Sequence, residues 1–114
     1  MPHDADLNHR MRRALAGHAG ISEKRMMGGL CFFLNGNMLC GARRHVDGIG
    51  RFMFRVGKAR EADALQDPMA RAVMHGSRKL GGFIHVAETD CDEAAMRRWL
   101  DICLDHAAAL PPKY

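Results

Sequence analysis

The dipeptide Asn35-Gly36 separates two apolar runs, residues 30–34 and residues 37–42. An Asn-Gly pair between apolar runs is a strong signal for a β-hairpin, because both residues tolerate the positive φ that a two-residue turn requires. The sequence therefore predicts a tight antiparallel pair of strands here, with Gly36 as a turn residue.

The turn also predicts which side chains share a face of the hairpin. Phe33 is expected opposite Met38 and Cys31 opposite Cys40, and side chains alternate between the two faces along each strand. One face then carries Cys31, Phe33, Met38 and Cys40. The other face carries Leu30, Phe32, Leu34 and Leu39.

Both faces of the predicted hairpin are apolar, whereas a hairpin with one face in water alternates apolar and polar residues. Helices of the same chain can cover one face. The other has to meet a loop, a further helix or a second protomer, and a chain of 114 residues has few elements to spare. We therefore expect a homodimer whose contact is the face of Cys31, Phe33, Met38 and Cys40.

The rest of the chain predicts helices around further strands. Apolar spacing indicates a first helix within residues 1–18 that Asp4 or Asp6 caps, a short helix at 59–65 and a last helix that Asp90 caps. The remaining expectations are strands at 23–27, 52–56 and 83–86, a loop at 43–51, and one helical turn followed by a loop at 69–82. This order predicts an α+β fold, a two-layer sandwich of an antiparallel β-sheet and helices.

Length and composition fit one globular domain, residues 1–114, with its core in about residues 20–105 and a tail at 110–114. An apolar fraction of 47% and a charged fraction of 26% exclude a disordered or fibrous chain. No uncharged run is long enough for a membrane span, and no secretory signal opens the chain. We therefore expect a cytoplasmic protein without membrane contacts.

Seventeen Lys and Arg residues against 13 Asp and Glu residues give a net charge of +4. Three adjacent pairs could contact phosphates: Arg12-Arg13, Arg43-Arg44 and Arg97-Arg98. A basic nucleic-acid-binding module is therefore an alternative function. The other interpretation is that each pair lies on the solvated side of its own element, since no groove-reading motif accompanies the charge.

The cysteines lack the C-x-x-C spacing of zinc knuckles and redox pairs. A metal or thiol sensor is a less favoured alternative, in which Cys31 and Cys40 act with His18, His45 or His85. The simpler interpretation makes the cysteines small core residues. We expect no metal, no cofactor and no catalytic residue, because no nucleophile signature appears and the carboxylates lie mainly in predicted surface helices.

Five segments carry a family resemblance: Arg25-Met26-Met27-Gly28-Gly29-Leu30, Cys31-Phe32-Phe33-Leu34-Asn35-Gly36-Asn37-Met38, Phe54-Arg55-Val56-Gly57, Gly82-Phe83-Ile84-His85-Val86, and Trp99. In this order they resemble the amino-terminal domain of the TfoX/Sxy family of bacterial competence regulators, in its stand-alone form. That family has R-M-F-G-G, F-x-x-N-G-x-M and R-V-G segments and a G-R-P-M-K-G-(W/F)-x-Y-V stretch. Here Met27 replaces the Phe, and residues 77–82 lack the Pro.

The resemblance implies a two-layer domain similar in outline to secretion-chaperone folds. It also implies a non-enzymatic, protein-binding role in regulating the transcription of DNA-uptake genes, through or alongside the cyclic-AMP receptor protein. The longer regulators carry a second, helical domain, which these 114 residues do not include.

Two sets of residues in these segments are candidates for an anion site. Gly28 and Gly29 could bring backbone N–H groups to a phosphate beside Arg25, although a bend between two strands is the favoured interpretation. Arg25, Arg55 and Arg78 could converge on an anion, or could instead pair with Glu23, Asp63 or Glu88. Gly36 and Gly82 are interpreted as turn glycines.

Overall fold

The computed structural model describes residues 2–113, with side chains from residue 5 onward. Within these residues it contains three α-helices and six β-strands. In chain order they are α1 (Pro2–Leu15), β1 (Ile21–Met26), β2 (Gly29–Leu34), β3 (Asn37–Arg44), β4 (Gly50–Arg55), α2 (Lys58–Leu65), β5 (Arg71–His75), β6 (Arg78–Ala87) and α3 (Glu93–Ala108), with a 3₁₀ turn at Glu88–Asp90.

The strands form one sheet in the order β1-β2-β3-β4-β6-β5, and every neighbouring pair is antiparallel. Short connections join β1 to β2, β2 to β3, β3 to β4 and β5 to β6, whereas α2 carries the chain from β4 to the outer strand β5. This arrangement confirms the predicted α+β class. In the part of the chain that the structure describes, no helix is long and apolar enough to span a membrane.

The helices pack on one face of the sheet, which we call the helix face. Leu7, Met11 and Leu15 of α1 recur at helical spacing and are buried there. From α3 the buried residues are Ala95, Met96, Trp99, Leu100, Cys103 and Ala107. The sheet contributes Phe32, Phe52, Phe54, Ile84 and Val86 to the same core. Phe54 stacks on Trp99 with ring centroids 6.2 Å apart.

The helix starts differ from the prediction. Asp90 does not cap α3, because it lies in the 3₁₀ turn. The cap is Asp92, whose carboxylate accepts a hydrogen bond from the Ala95 N–H at 2.8 Å. The first helix begins at Pro2, so neither Asp4 nor Asp6 starts it, and the Asp4 side chain lies outside the described residues. The predicted short helix is confirmed as α2.

The predicted hairpin is confirmed, but its register is wrong beyond the first two pairs. Leu34 lies opposite Asn37 and Phe33 opposite Met38, after which one extra residue, Leu39, is accommodated in β3. Past this bulge Phe32 lies opposite Cys40 and Cys31 opposite Gly41. A bulge turns the following side chains to the other face. Cys40 is therefore buried on the helix face, with its Sγ 3.5 Å from the Met11 Sδ.

The segment expected to be a helical turn and a loop is instead a β-hairpin, β5 and the first part of β6. The prediction failed because none of residues 71–80 is buried, so neither face of this hairpin requires apolar residues at alternating positions. The predicted loop 43–51 is also shorter than expected. β3 continues to Arg44 and β4 begins at Gly50, which leaves residues 45–49 as the connection.

The end of the described chain packs on the Asn35-Gly36 turn. The Lys113 N–H donates to the Asn35 carbonyl oxygen at 2.7 Å, and the Asn37 side chain donates to the Pro111 carbonyl oxygen at 2.8 Å. A Cβ on Gly36 would overlap the Lys113 carbonyl oxygen. The predicted tail is thus an ordered strap as far as residue 113, and residue 114 lies outside the described residues.

Candidate functional site

The face of the sheet opposite the helices is the candidate site, and we call it the open face. Strand alternation places Cys31, Phe33, Met53 and His85 on it, and the side chains of Phe33, Met53 and His85 are only half-buried. α2 begins beside Gly82 and gives Ala64 to the core on the helix face. None of the helices in residues 2–113 therefore covers the open face.

The open face is concave and contains a groove of about 860 Å³. Gly82, with φ +84, interrupts the regular conformation of β6, and the β5–β6 hairpin curves over the face. All six strands contribute lining residues, among them Met26, Met27, Cys31, Gly41, Met53, Val73, Met74, Leu80 and His85. A volume of this size is within the range of known ligand and peptide-anchor pockets.

The lining of the groove is rich in methionine. Met26, Met27, Met53 and Met74 all line it. Methionine is flexible and polarizable, so it adapts to apolar partners of different shapes. Four large apolar residues are the most exposed ones in the described chain. Met27 (44% exposed) and Met74 (54%) line the groove, and Ile49 (42%) and Val46 (101%) lie in the β3–β4 connection beside it.

Polar groups line one end of the groove. The His45 and His85 rings lie 6.1 Å apart between centroids. Burial is the main cause that lowers the pKa of both imidazoles, and the charge of Arg51 is the next largest. Both rings are therefore neutral at neutral pH. Arg51 binds Asp47 at 2.9 Å and lowers the pKa of that carboxyl to about 2. This end therefore offers neutral imidazole nitrogens, a compensated ion pair and the charged side chain of Arg43, which also lines the groove.

The chemistry of the groove suits binding of apolar groups. Cys31 is only 3% exposed, and burial raises the pKa of its thiol, so it stays protonated at neutral pH. Cys40 lies across the sheet, and burial raises the pKa of its thiol well above the usual range. The two cysteines thus do not form the facing pair on which the metal hypothesis depends. Among the residues described, no three His, Cys, Asp or Glu side chains are placed to hold a metal ion.

The four residues predicted as a contact face are split by the bulge. Phe33 and Met38 lie half-buried on the open face near the Asn35-Gly36 turn, and Cys31 lines the groove. Cys40 is in the core instead. The open face gains residues that the sequence did not indicate, chiefly Met53 and Met74, because no local pattern relates β4 and β5 to the hairpin.

The three arginines proposed to converge lie in different places. Arg25 is on the outer strand β1, where it pairs with Leu30 of β2. Because paired residues share a face and Leu30 faces the helices, Arg25 lies on the helix face. Arg55 is on the open face, where it donates to the Met38 carbonyl oxygen at 3.4 Å and lies over the Phe83 ring. Arg78 is exposed beside the β5–β6 turn. The structure brings no two of them together.

The glycines Gly28 and Gly29 have separate structural roles. Met27 and Gly28 form the two-residue turn between β1 and β2, with φ values of 56 and 76. Gly29 lies so close to the Ala42 carbonyl oxygen that a Cβ would overlap it. The favoured interpretation, a change of direction between two strands, is what the structure shows.

Each arginine pair has at least one member in an ion pair on the protein surface. Arg12 binds Glu23 at 2.8 Å and lowers the pKa of that carboxyl. Arg44 binds Glu88 at 3.0 Å, and Arg98 binds Asp67 at 3.0 Å. Part of the charge of these pairs is therefore compensated within the chain.

Comparison with known proteins gives one family match. The family model of the TfoX N-terminal domain matches residues 13–107. No curated protein and no solved structure matches the chain. The matched range includes every strand of the sheet together with α2 and the whole of α3 except its last residue. The chain therefore belongs to the TfoX N-terminal domain family.

Proposed function

We propose that this domain is a non-enzymatic regulatory module that works by binding protein on the open face of its sheet, and that a second copy of the chain occupies this face. The observation that carries the proposal is the uncovered, methionine-rich groove. Large exposed apolar patches on soluble domains mark interaction surfaces. A symmetric dimer is the simplest assembly that removes such a face from water on both partners.

The residues of the open face support this assignment. Phe33, Met38 and Phe83 extend the apolar surface from the groove toward the Asn35-Gly36 turn. Burial of apolar surface stabilises a contact by about 25 cal/mol per Å² before the costs of association are subtracted. The flexible methionines let two identical faces adjust to each other.

Family membership supports a regulatory role in the cytoplasm. For the TfoX/Sxy regulators that role is transcriptional control of DNA-uptake genes, with the cyclic-AMP receptor protein as a partner. The proposal includes this transcriptional role and this partner for the present chain. Protein binding is favoured over nucleic-acid binding because Arg12, Arg44 and Arg98 are each engaged by a carboxylate.

The test is the oligomeric state of variants that place a carboxylate on the open face. Light scattering coupled to size exclusion should give a dimer for the natural chain and a folded monomer for Phe33→Asp. Because Phe33 is half-buried outside the core, the far-ultraviolet circular dichroism should remain that of the natural chain. Met53→Asp, on β4 within the groove, should have the same effect.

The matched control is Ala94→Asp, which adds the same charge at an exposed position in the first turn of α3. A carboxylate there is favourable for the helix, so this variant should remain a dimer. A monomeric natural chain, or a dimer that survives both Phe33→Asp and Met53→Asp, would show that the open face is not the dimer contact.

A further inference from the structure

The polar end of the groove carries one cation without a counter-charge. Arg43 of β3 lies directly opposite Arg51 of β4, and both side chains line the groove. Like charges at directly opposed positions of an antiparallel pair repel each other. Asp47 binds Arg51 at 2.9 Å, whereas Arg43 contacts no carboxylate among the residues whose side chains are described. The arginine pair therefore keeps a net positive charge.

The charge balance of the groove favours a single negative charge on a ligand. Among the described residues that line it, Asp47 is the only carboxylate, against the two guanidinium groups of Arg43 and Arg51. The charge of Arg43 reaches the neighbouring imidazole, because it contributes to the lowered pKa of His45 after burial and the charge of Arg51. With both imidazoles of this end neutral, one anionic group balances the charge.

The Arg43 side chain rests against bare backbone beside the β1–β2 turn. Its Nε lies 3.0 Å from the position that a Cβ on Gly28 would occupy, and its Cβ lies 2.9 Å from the corresponding position at Gly29. The side chain is exposed and lines the groove, so its N–H groups are accessible from there. A guanidinium presents paired N–H groups that match the two oxygens of one carboxylate.

Next to this charge the groove becomes apolar. Gly41 and Met53 form the neighbouring pair on the same face, two residues or about 7 Å along the strands from the arginine pair. A Cβ on Gly41 would lie 3.3 Å from the Cys31 Sγ, so the floor of the groove there is bare backbone. Met74 and Leu80 of the β5–β6 hairpin add apolar walls. A ligand bound at the arginine pair can therefore extend an apolar chain along the groove.

From these observations we infer that the groove binds a free fatty acid, that is, an unbranched long-chain carboxylate. Its carboxylate pairs with the Arg43 guanidinium, and its hydrocarbon chain lies over Gly41 and against Met53. A groove of about 860 Å³ is within the size range of pockets that hold small-molecule ligands. Flexible methionine side chains suit a chain that has no fixed shape.

This inference rests on the open face, which the proposed function assigns to a second copy of the chain. The fatty acid and the second copy use the same groove residues, so each excludes the other. By mass action, a fatty acid should then dissociate the dimer. The ligand would thus regulate the assembly of the module.

The test is a calorimetric titration of the natural chain with laurate below its micelle-forming concentration, with light scattering of the same samples. We expect saturable binding and conversion of the dimer to a monomer. Decanoate should bind about tenfold more weakly, since burial of each methylene contributes roughly fourfold. Dodecyltrimethylammonium, which has the same chain and the opposite charge, should not bind saturably.

Variants test the carboxylate contact, and methionine methyl NMR locates the chain. Arg43→Gln should weaken laurate binding about tenfold. Arg97→Gln is the matched control, because it removes an equal charge from an exposed position on α3, and it should bind as the natural chain does. Laurate should shift the methyl signal of Met53 and leave that of Met11, in the core, unchanged.

Three outcomes would overturn the inference. They are equal laurate affinity in Arg43→Gln and the natural chain, equal affinity for laurate and dodecyltrimethylammonium, and laurate binding that leaves an open-face dimer intact. A dimer that binds no laurate would also overturn it, with the second copy as the occupant of the groove and the proposed function unaffected. A natural chain that is monomeric without ligand and binds laurate at Met53 would support the inference and contradict the dimer.

Discussion

The two ends of β2 have turns of the same backbone type built from different residues. Asn35 and Gly36 have φ values of 51 and 83, and Met27 and Gly28 have values of 56 and 76. Asn adopts this left-handed conformation readily, whereas for a long side chain it costs about 1–2 kcal/mol. The Asn35-Gly36 turn follows the backbone preference of its own residues. At the Met27-Gly28 turn, the pairing of Met26 with Gly29 holds Met27 in a conformation that its side chain disfavours.

The difference is informative because of where Met27 lies. Its side chain is 44% exposed and lines the groove of the open face. Strained residues in folded proteins concentrate at functional sites, where the surrounding structure supports the strain. We interpret the Asn35-Gly36 turn as serving the fold and the Met27-Gly28 turn as presenting an apolar side chain to a partner.

The largest effect is expected from Gly36→Ala, which breaks the turn that serves the fold. The new Cβ meets a positive φ, which costs about 1 kcal/mol. It also displaces the strap, whose two hydrogen bonds each contribute about 1 kcal/mol. We expect urea unfolding to show a loss of about 3 kcal/mol.

Gly48→Ala is the matched control for this variant. Gly48 has nearly the same φ, +84 against +83 for Gly36, but a Cβ there would have nothing within 4 Å. It should lose only about 1 kcal/mol, the cost of the backbone conformation. Equal losses for the two variants would mean that the strap does not stabilise the turn.

A smaller effect is expected from Asn35→Met, which places in the Asn35-Gly36 turn the residue type that occupies the Met27-Gly28 turn. The free energy of unfolding should fall by about 1 kcal/mol, because Met lacks the preference of Asn for positive φ. Asn35→Gly serves as the control and should lose less, since Gly accepts this conformation. If Asn35→Gly loses as much as Asn35→Met, the amide contacts of Asn35 matter and its backbone preference does not.

The smallest effect, and the one that separates folding from binding, is expected from Met27→Asn. It should raise the free energy of unfolding by about 0.5–1 kcal/mol while weakening self-association. The unfolding measurement is best made in the Phe33→Asp background, where association does not contribute. Met74→Asn also removes an exposed groove residue but leaves the turn unchanged.

This control should weaken association without any gain in stability. A loss of stability in Met27→Asn would contradict the interpretation that the turn is strained. Unchanged association in both variants would contradict a role for the groove in the dimer contact.

The sequence allowed much of the fold to be predicted wherever the signal is local. The Asn35-Gly36 hairpin and α2 lie where turn residues and apolar spacing predict them. The hairpin of β5 and β6 was missed because none of residues 71–80 is buried, so no apolar pattern marks its strands. The cap of α3 was misplaced by two residues because two aspartates compete for it and only packing selects Asp92.

The candidate site was predicted only in part. Phe33 and Met38 were placed on an uncovered face, and they lie half-buried on the open face. Cys40 was placed beside them and is instead in the core, because the bulge at Leu39 changes the alternation of β3. A bulge has no signature in an otherwise continuous apolar run, so the sequence could not indicate it.

The sequence by itself determined the fold class, and it determined that the sheet carries more apolar surface than the helices can cover. Both depend on residue type and on neighbours along the chain. Only the tertiary structure decided which residues form that surface. The groove joins Met27 to Met74 and Met53. These residues are distant in the chain. The order and curvature of the strands bring them together, and both result from strand pairing across the whole sheet.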